Sequence, residues 1–209
     1  MMKAKANTTL VLLAMGCLAA GCATQKFAGI DEYKQLTMEA TADVQAALHA
    51  LDQVSANASH CTPKTVAAFE HDVQCLEVHS IRVRARARAI QARGDAYFAC
   101  WSESITNITD LRVREAAERC HPELEASFSR IKLASQSAGA AFDSFSSGLQ
   151  KLRVELEIKA GCVDSGADRE LIQKTGENGQ QVLKELGVIN SELLAMKKTL
   201  TQNPSKQAH

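Results

Sequence analysis

One heptad seam constrains this chain more than anything else in it: Val66, Phe69, Val73, Leu76, Ser80, Val83, Ala87, Ile90, Gly94, Tyr97, Trp101 and Ser104 keep a single register. Steps of three and four place all twelve side chains on one stripe of an α-helix, and a partner helix has to cover that stripe. Thr62-Pro63 opens the segment with an N-cap and a proline at the first helical position, where its missing N–H costs no hydrogen bond. The run Arg82-Val83-Arg84-Ala85-Arg86-Ala87-Arg88 imitates a strand. At about 100° per residue, however, Arg82 and Arg86 flank one side of the seam while Arg84 and Arg88 flank the other.

Three further segments repeat the pattern. The first, from about Gly29 to Ala58, carries Ile30, Tyr33, Thr37, Ala40, Val44, Ala47, Leu51, Val54 and Ala58. The third, capped by Asn107 or Thr109, passes through Val113, Ala117, Cys120 and Leu124 before settling into Ile131, Ser135, Ala138, Phe142, Phe145, Leu149, Leu152 and Leu156. Pro122 lies inside it and predicts a kink, or a break with His121 near the cap. After a turn at residues 160–166, the fourth segment carries Ile172, Thr175, Gly179, Val182, Leu186, Ile189, Leu193, Met196 and Leu200. Gly176, Gly179 and Gly187 each cost up to about 1 kcal/mol relative to Ala, which makes this the helix expected to be most labile.

Short turns between long helices imply antiparallel neighbours. Residues 29–200 therefore read as an all-α, elongated antiparallel helical bundle or coiled coil of about four long helices, with 201–209 as a disordered tail. Aromatic residues at 4% and only three prolines fit long helices better than a sheet. The second segment exceeds the first by about a dozen residues, so the hairpin joining segments two and three overhangs by ~18 Å.

The N-terminus carries an address. Lys3 and Lys5 precede a short apolar run, Leu10 to Met15, and then Leu18-Ala19-Ala20-Gly21-Cys22. This pattern resembles a bacterial lipoprotein signal, in which a small residue admits the peptidase and the following thiol takes a diacylglycerol thioether. Residues 1–21 read as the signal peptide, Cys22 as the lipid-attachment residue and 22–28 as a short membrane tether. Cys17, after Met15-Gly16, is the rival acceptor. Each acyl methylene adds about 0.8 kcal/mol of membrane affinity, so a palmitate-length set of chains anchors permanently. Ala23 follows Cys22 where an inner-membrane signal would place Asp, and this directs the chain to the periplasmic face of the outer membrane. Without Lys3 and Lys5 the 24 basic residues become 22, against 24 acidic ones, a balance that argues against nucleic acid as a partner.

Five cysteines remain once Cys17 and Cys22 are set aside, and an oxidising compartment favours pairing them. Cys61 and Cys162 lie in turns at the same end, and Cys100 and Cys120 oppose each other across the second hairpin. Disulfides Cys61–Cys162 and Cys100–Cys120 are expected, with Cys75 left over. His71, Cys75 and His79 recur every four residues on the face opposite the seam, but ~12 Å separates the outer pair along the axis, so one ion takes two of the three. No metal or other cofactor is expected.

Tyr97, Phe98, Trp101 and Ile105 crowd the end of the overhanging hairpin and widen its apolar face. They form the candidate partner-binding or membrane-resting surface. The arginine cluster Arg82, Arg84, Arg86, Arg88 and Arg93 is expected to pair with neighbouring helices or stay solvated.

Phe98-Ala99-Cys100-Trp101, followed by Asn107-Ile108-Thr109-Asp110-Leu111-Arg112 opening a long helix, resembles an uncharacterised family of bacterial lipoproteins, a domain of unknown function. The family combines a lipobox with several long helices, and the resemblance implies no activity. With no HExxH, CxxC, GxSxG, Walker or GxGxxG pattern, the chain is not expected to be an enzyme. The expected role is a lipid-anchored scaffold or protein-interaction module, partnered by the membrane, by an envelope protein or by a second copy of itself as a homodimer. The alternative is a metal or ligand sensor built on His71, Cys75 and His79.

Overall fold

A computed structural model describes residues 8–159 and 161–201, with side chains described from Ile30 onward except at 102–104 and 113. Cys17, Cys22 and the expected signal and tether, residues 1–28, lie outside the described side chains, and residues 202–209 lie outside the described residues. The described residues fold as four helices: α1 (Thr8–Ala56), α2 (Pro63–Thr106), α3 (Leu111–Ile158) and α4 (Gly166–Thr201). The helix expected from Gly29 is thus part of a longer one.

Each helix packs on its neighbours in sequence and α4 closes the ring on α1. Pairs of polar side chains set every neighbour antiparallel. On α1 and α2 these are Asp43 with His79 and Glu32 with Arg86, on α2 and α3 Arg84 with Asp143 and Asp95 with Lys132, on α3 and α4 Arg130 with Glu192 and Ser137 with Glu185, and on α4 and α1 Asn190 with Thr37 and Lys197 with Asp31. Arg86 reaches α1 and Arg84 reaches α3, on opposite sides of the seam, as helical geometry requires.

Helix ends follow local chemistry. Thr62 Oγ1 accepts the Thr65 N–H at 3.2 Å ahead of Pro63. The cap of α3 is Asp110, whose Oδ1 accepts the Arg112 N–H at 2.9 Å, and not Asn107 or Thr109. Carboxylate and amide caps are nearly equivalent in strength, so the backbone path of the turn decides among adjacent candidates. Before α4, Ser165 and Asp168 form a reciprocal box: Asp168 N–H donates to Ser165 Oγ at 3.2 Å and Ser165 N–H donates to Asp168 Oδ2 at 3.1 Å. Lys159 reaches the same carboxylate at 2.8 and 2.9 Å. The hydrogen bond from Lys159, and after it that from Ser165, holds the Asp168 carboxyl below the usual range.

Pro122 does not break α3, which runs through it from Leu111 to Ile158. α4 buries Ile172, Thr175, Gly179, Val182, Leu186, Ile189 and Leu193, the first seven residues of its expected seam, while Met196 and Leu200 near its end are half-buried. Gly179 in that seam is a close-packing position, since a Cβ there would sit 2.7 Å from Leu48 Cδ2 and 2.9 Å from Phe145 Cε2.

α2 differs from the rest. Phe69, Val73 and Leu76 are fully buried, but none of its described residues beyond Leu76 is. Its seam continues in register with residues too small to fill the space: Ser80, Val83 and Ala87 face Ser135, Ala138 and Gly139 of α3 around a cavity of about 80 Å³. The core therefore sits towards the end formed by the α1–α2 and α3–α4 loops and thins towards the α2–α3 hairpin.

Candidate functional site

The pairing of Arg86 with Glu32 leaves 20 residues of α2 beyond that level, ~30 Å of helix, but α1 runs on for 24 residues from Glu32 back to Thr8, so the expected overhang of α2 past α1, which assumed a start near Gly29, is not formed. Phe128 of α3 fills the space over Gly94, where a Cβ would stand 2.1 Å from the ring. From Phe128 the rings continue outward. Phe98 lies 5.3 Å from Phe128, Phe98 lies 5.6 Å from His121, and Trp101 lies 5.1 Å from His121, centroid to centroid. Tyr97 meets both Phe98 and Trp101 edge to face, at 5.2 and 4.9 Å. The angles near 76° are those that ring quadrupoles favour.

Tyr97, Phe98, Trp101 and Ile105 are brought to one end as expected, and all four are half-buried. His121 is the member that sequence reasoning missed as part of this group. It joins because the hairpin closes with Trp101 opposite the turn that precedes Pro122, a pairing no local pattern encodes. The indole Nε1–H of Trp101 and the Nε2 of His121 are both shielded from solvent without a hydrogen-bond partner among the described residues. Buried polar atoms left in this way cost about 1–3 kcal/mol each, and only three side-chain atoms among the described residues are in that state. Two of the three share one ring contact. An incoming acceptor for the indole and a donor or proton for the imidazole would recover that loss.

The histidine and cysteine series on α2 separates. Cys75 Sγ lies 3.7 Å from His71 Nε2, but His79 does not stay on the outer face with them: its Nδ1 turns to Asp43 Oδ2 of α1 at 2.7 Å. A carboxylate within reach captures an imidazole more readily than a thiol one turn away does. Among the described residues no group of three metal-ligating side chains forms.

All five described cysteines are thiols, so neither expected disulfide is formed. Cys61 Sγ is directed at the Val54 and Asn57 carbonyls and Cys162 Sγ at the Ser59 carbonyl, while Cys100 is exposed and Cys120 half-buried. Of the arginines, Arg84 is paired with Asp143 at 2.5 Å and lies over the Phe142 ring at 4.8 Å, and Arg86 is paired with Glu32. Arg82, Arg88 and Arg93 are exposed. Among the described residues no helix is long and apolar enough to cross a membrane.

Comparison of the chain with protein-family models, with curated proteins and with solved structures returns no match.

Proposed function

We propose that this chain is a lipid-anchored, non-catalytic interaction module of the bacterial outer membrane, tethered through Cys22 on the periplasmic face and engaging an envelope protein through the end of its α2–α3 hairpin. The observation that carries this reading is the half-buried cluster of Tyr97, Phe98, Trp101 and Ile105, in which Trp101 Nε1 and His121 Nε2 lack partners among the described residues. Aromatic side chains that pair a large apolar surface with an unmet polar atom are what interface anchors are made of. The lipobox supplies the address and the likeness to lipoproteins of unknown function agrees with it. The sensor alternative has only the His71–Cys75 contact in its favour.

The test is a pair of measurements on the full chain in a Gram-negative host. An alkynyl palmitate analogue should label the protein and fail to label Cys22→Ser. A photo-crosslinking residue at position 98 should give one discrete adduct with an envelope protein, diminished at least tenfold by Trp101→Ala. Labelling that survives Cys22→Ser removes the anchor, and crosslinking indifferent to Trp101 removes the module.

A further inference from the structure

The two loops at the other end of the bundle are stitched together by main-chain bonds. Cys61 N–H donates to the Gly161 carbonyl at 3.0 Å, and Val163 N–H donates to the Ala58 carbonyl at 2.7 Å. Cys162 lies between these two bonds. Gly161 holds a left-handed φ of 86°, which turns its carbonyl towards Cys61, and its N–H closes α3 on the Leu156 carbonyl at 2.8 Å. A single N–H···O bond separates two chains by about 5 Å, inside the ~4.4–6.8 Å over which disulfides join Cα atoms. A Cβ placed at position 161, the residue before Cys162, would stand 3.6 Å from Cys61 Cβ, so the two loops approach each other at side-chain contact range. We propose that Cys61 and Cys162 are a built dithiol that closes to a disulfide on oxidation, clasping the α1–α2 loop to the α3–α4 loop.

The chemistry has an order. Cys162 is half-buried, whereas Cys61 is 3% exposed. Burial pushes the Cys61 thiol up, and the adjacent Cys162 adds to this. With a low-molecular-weight disulfide such as oxidised glutathione as the oxidant, the Cys162 thiolate attacks one sulfur and expels a glutathione thiolate, leaving a mixed disulfide on Cys162. Cys61 then gives its proton to solvent and attacks Cys162 Sγ, expelling the second glutathione thiolate. Two protein thiols are oxidised and one glutathione disulfide is reduced to two thiols. Both sulfurs rest on carbonyls of the 54–59 stretch, and closure exchanges these weak contacts for the S–S bond.

The experiment uses the full chain, purified reduced, exposed to oxidised glutathione, alkylated and digested without reductant. Mass spectrometry should find the Cys61 peptide joined to the Cys162 peptide, with Cys75 alkylated. Oxidation should raise Tm by about 5–15 °C, as expected for a cross-link closing a loop of roughly 100 residues. Cys162→Ser should abolish both the linked peptide and the response of Tm to oxidant. That variant is preferred because Cys61→Ser would bury a hydroxyl and disturb the fold. Recovery of Cys61 alkylated, of Cys162 stalled as its glutathione adduct, or of Cys61 joined to any other cysteine overturns the proposal. The outcome does not depend on where the protein resides, so it stands or falls separately from the interaction reading.

Discussion

The two ends of this bundle obey one heptad rule and reach opposite results. At the end made by the α1–α2 and α3–α4 loops, Phe69, Val73 and Leu76 of α2 and Phe145, Leu149 and Leu152 of α3 join the core and none is more than 2% exposed. Towards the α2–α3 hairpin the register is unbroken, yet Ser80, Val83, Ala87 and Gly94 leave space that Phe128 fills in one place and a cavity occupies in another. Register alone aligns helices. Residue volume along the register decides whether alignment becomes a core.

The sharpest way to break this contrast is to truncate one large side chain in each half. Phe145→Ala should cost about 3–5 kcal/mol by urea denaturation, whereas Phe98→Ala, half-buried at the hairpin, should cost about 1–2 kcal/mol. Equal costs would mean that the core does not thin. Next in size is Gly94→Ala. Its Cβ would press on the Phe128 ring, and the overpacking of about 1–3 kcal/mol exceeds the gain in helix propensity, so a net loss localised to the hairpin by hydrogen exchange is expected.

Removal of the α4 cap by Ser165→Ala should cost about 1 kcal/mol in the same denaturation assay. Asp168 adds a pH signature. Its folded carboxyl titrates below its unfolded range, so its contribution is complete above that range and is lost as pH falls through the folded value. The Tm gap between the wild-type chain and Asp168→Asn should therefore be open at pH 7 and closed in strong acid. The smallest effect has the opposite sign: Gly139→Ala, with nothing within 4 Å of the new Cβ, should stabilise by about 0.5–1 kcal/mol. A loss there would mean that a neighbour closes on the space beside Gly139.

Much of the architecture was legible because period is a local property. The α4 seam from Ile172 to Leu193 and the placement of Arg84 and Arg86 on opposite sides of α2 both follow from rotation per residue. What failed to be legible depends on a partner. His79 turns to Asp43 because α1 lies there, Gly179 is a packing position because Leu48 and Phe145 press on it, and the burial of α2 stops at Leu76 because Ser80, Val83 and Ala87 meet Ser135, Ala138 and Gly139 without filling the space between them. The candidate surface was half legible: four aromatic and aliphatic residues could be read off one helix, but His121 belongs to the next and enters only through the fold.

The α2–α3 hairpin also behaves as a ruler. Because α2 and α3 run antiparallel there, seven residues added to each between the Gly94–Phe128 contact and the turn would carry the Trp101 end outward by ~10 Å and return every seam residue to its own stripe. The core at the far end would not register the change. Reach and stability are thus set by separate stretches of sequence, and related chains could differ in length at this hairpin alone while keeping the same folded body.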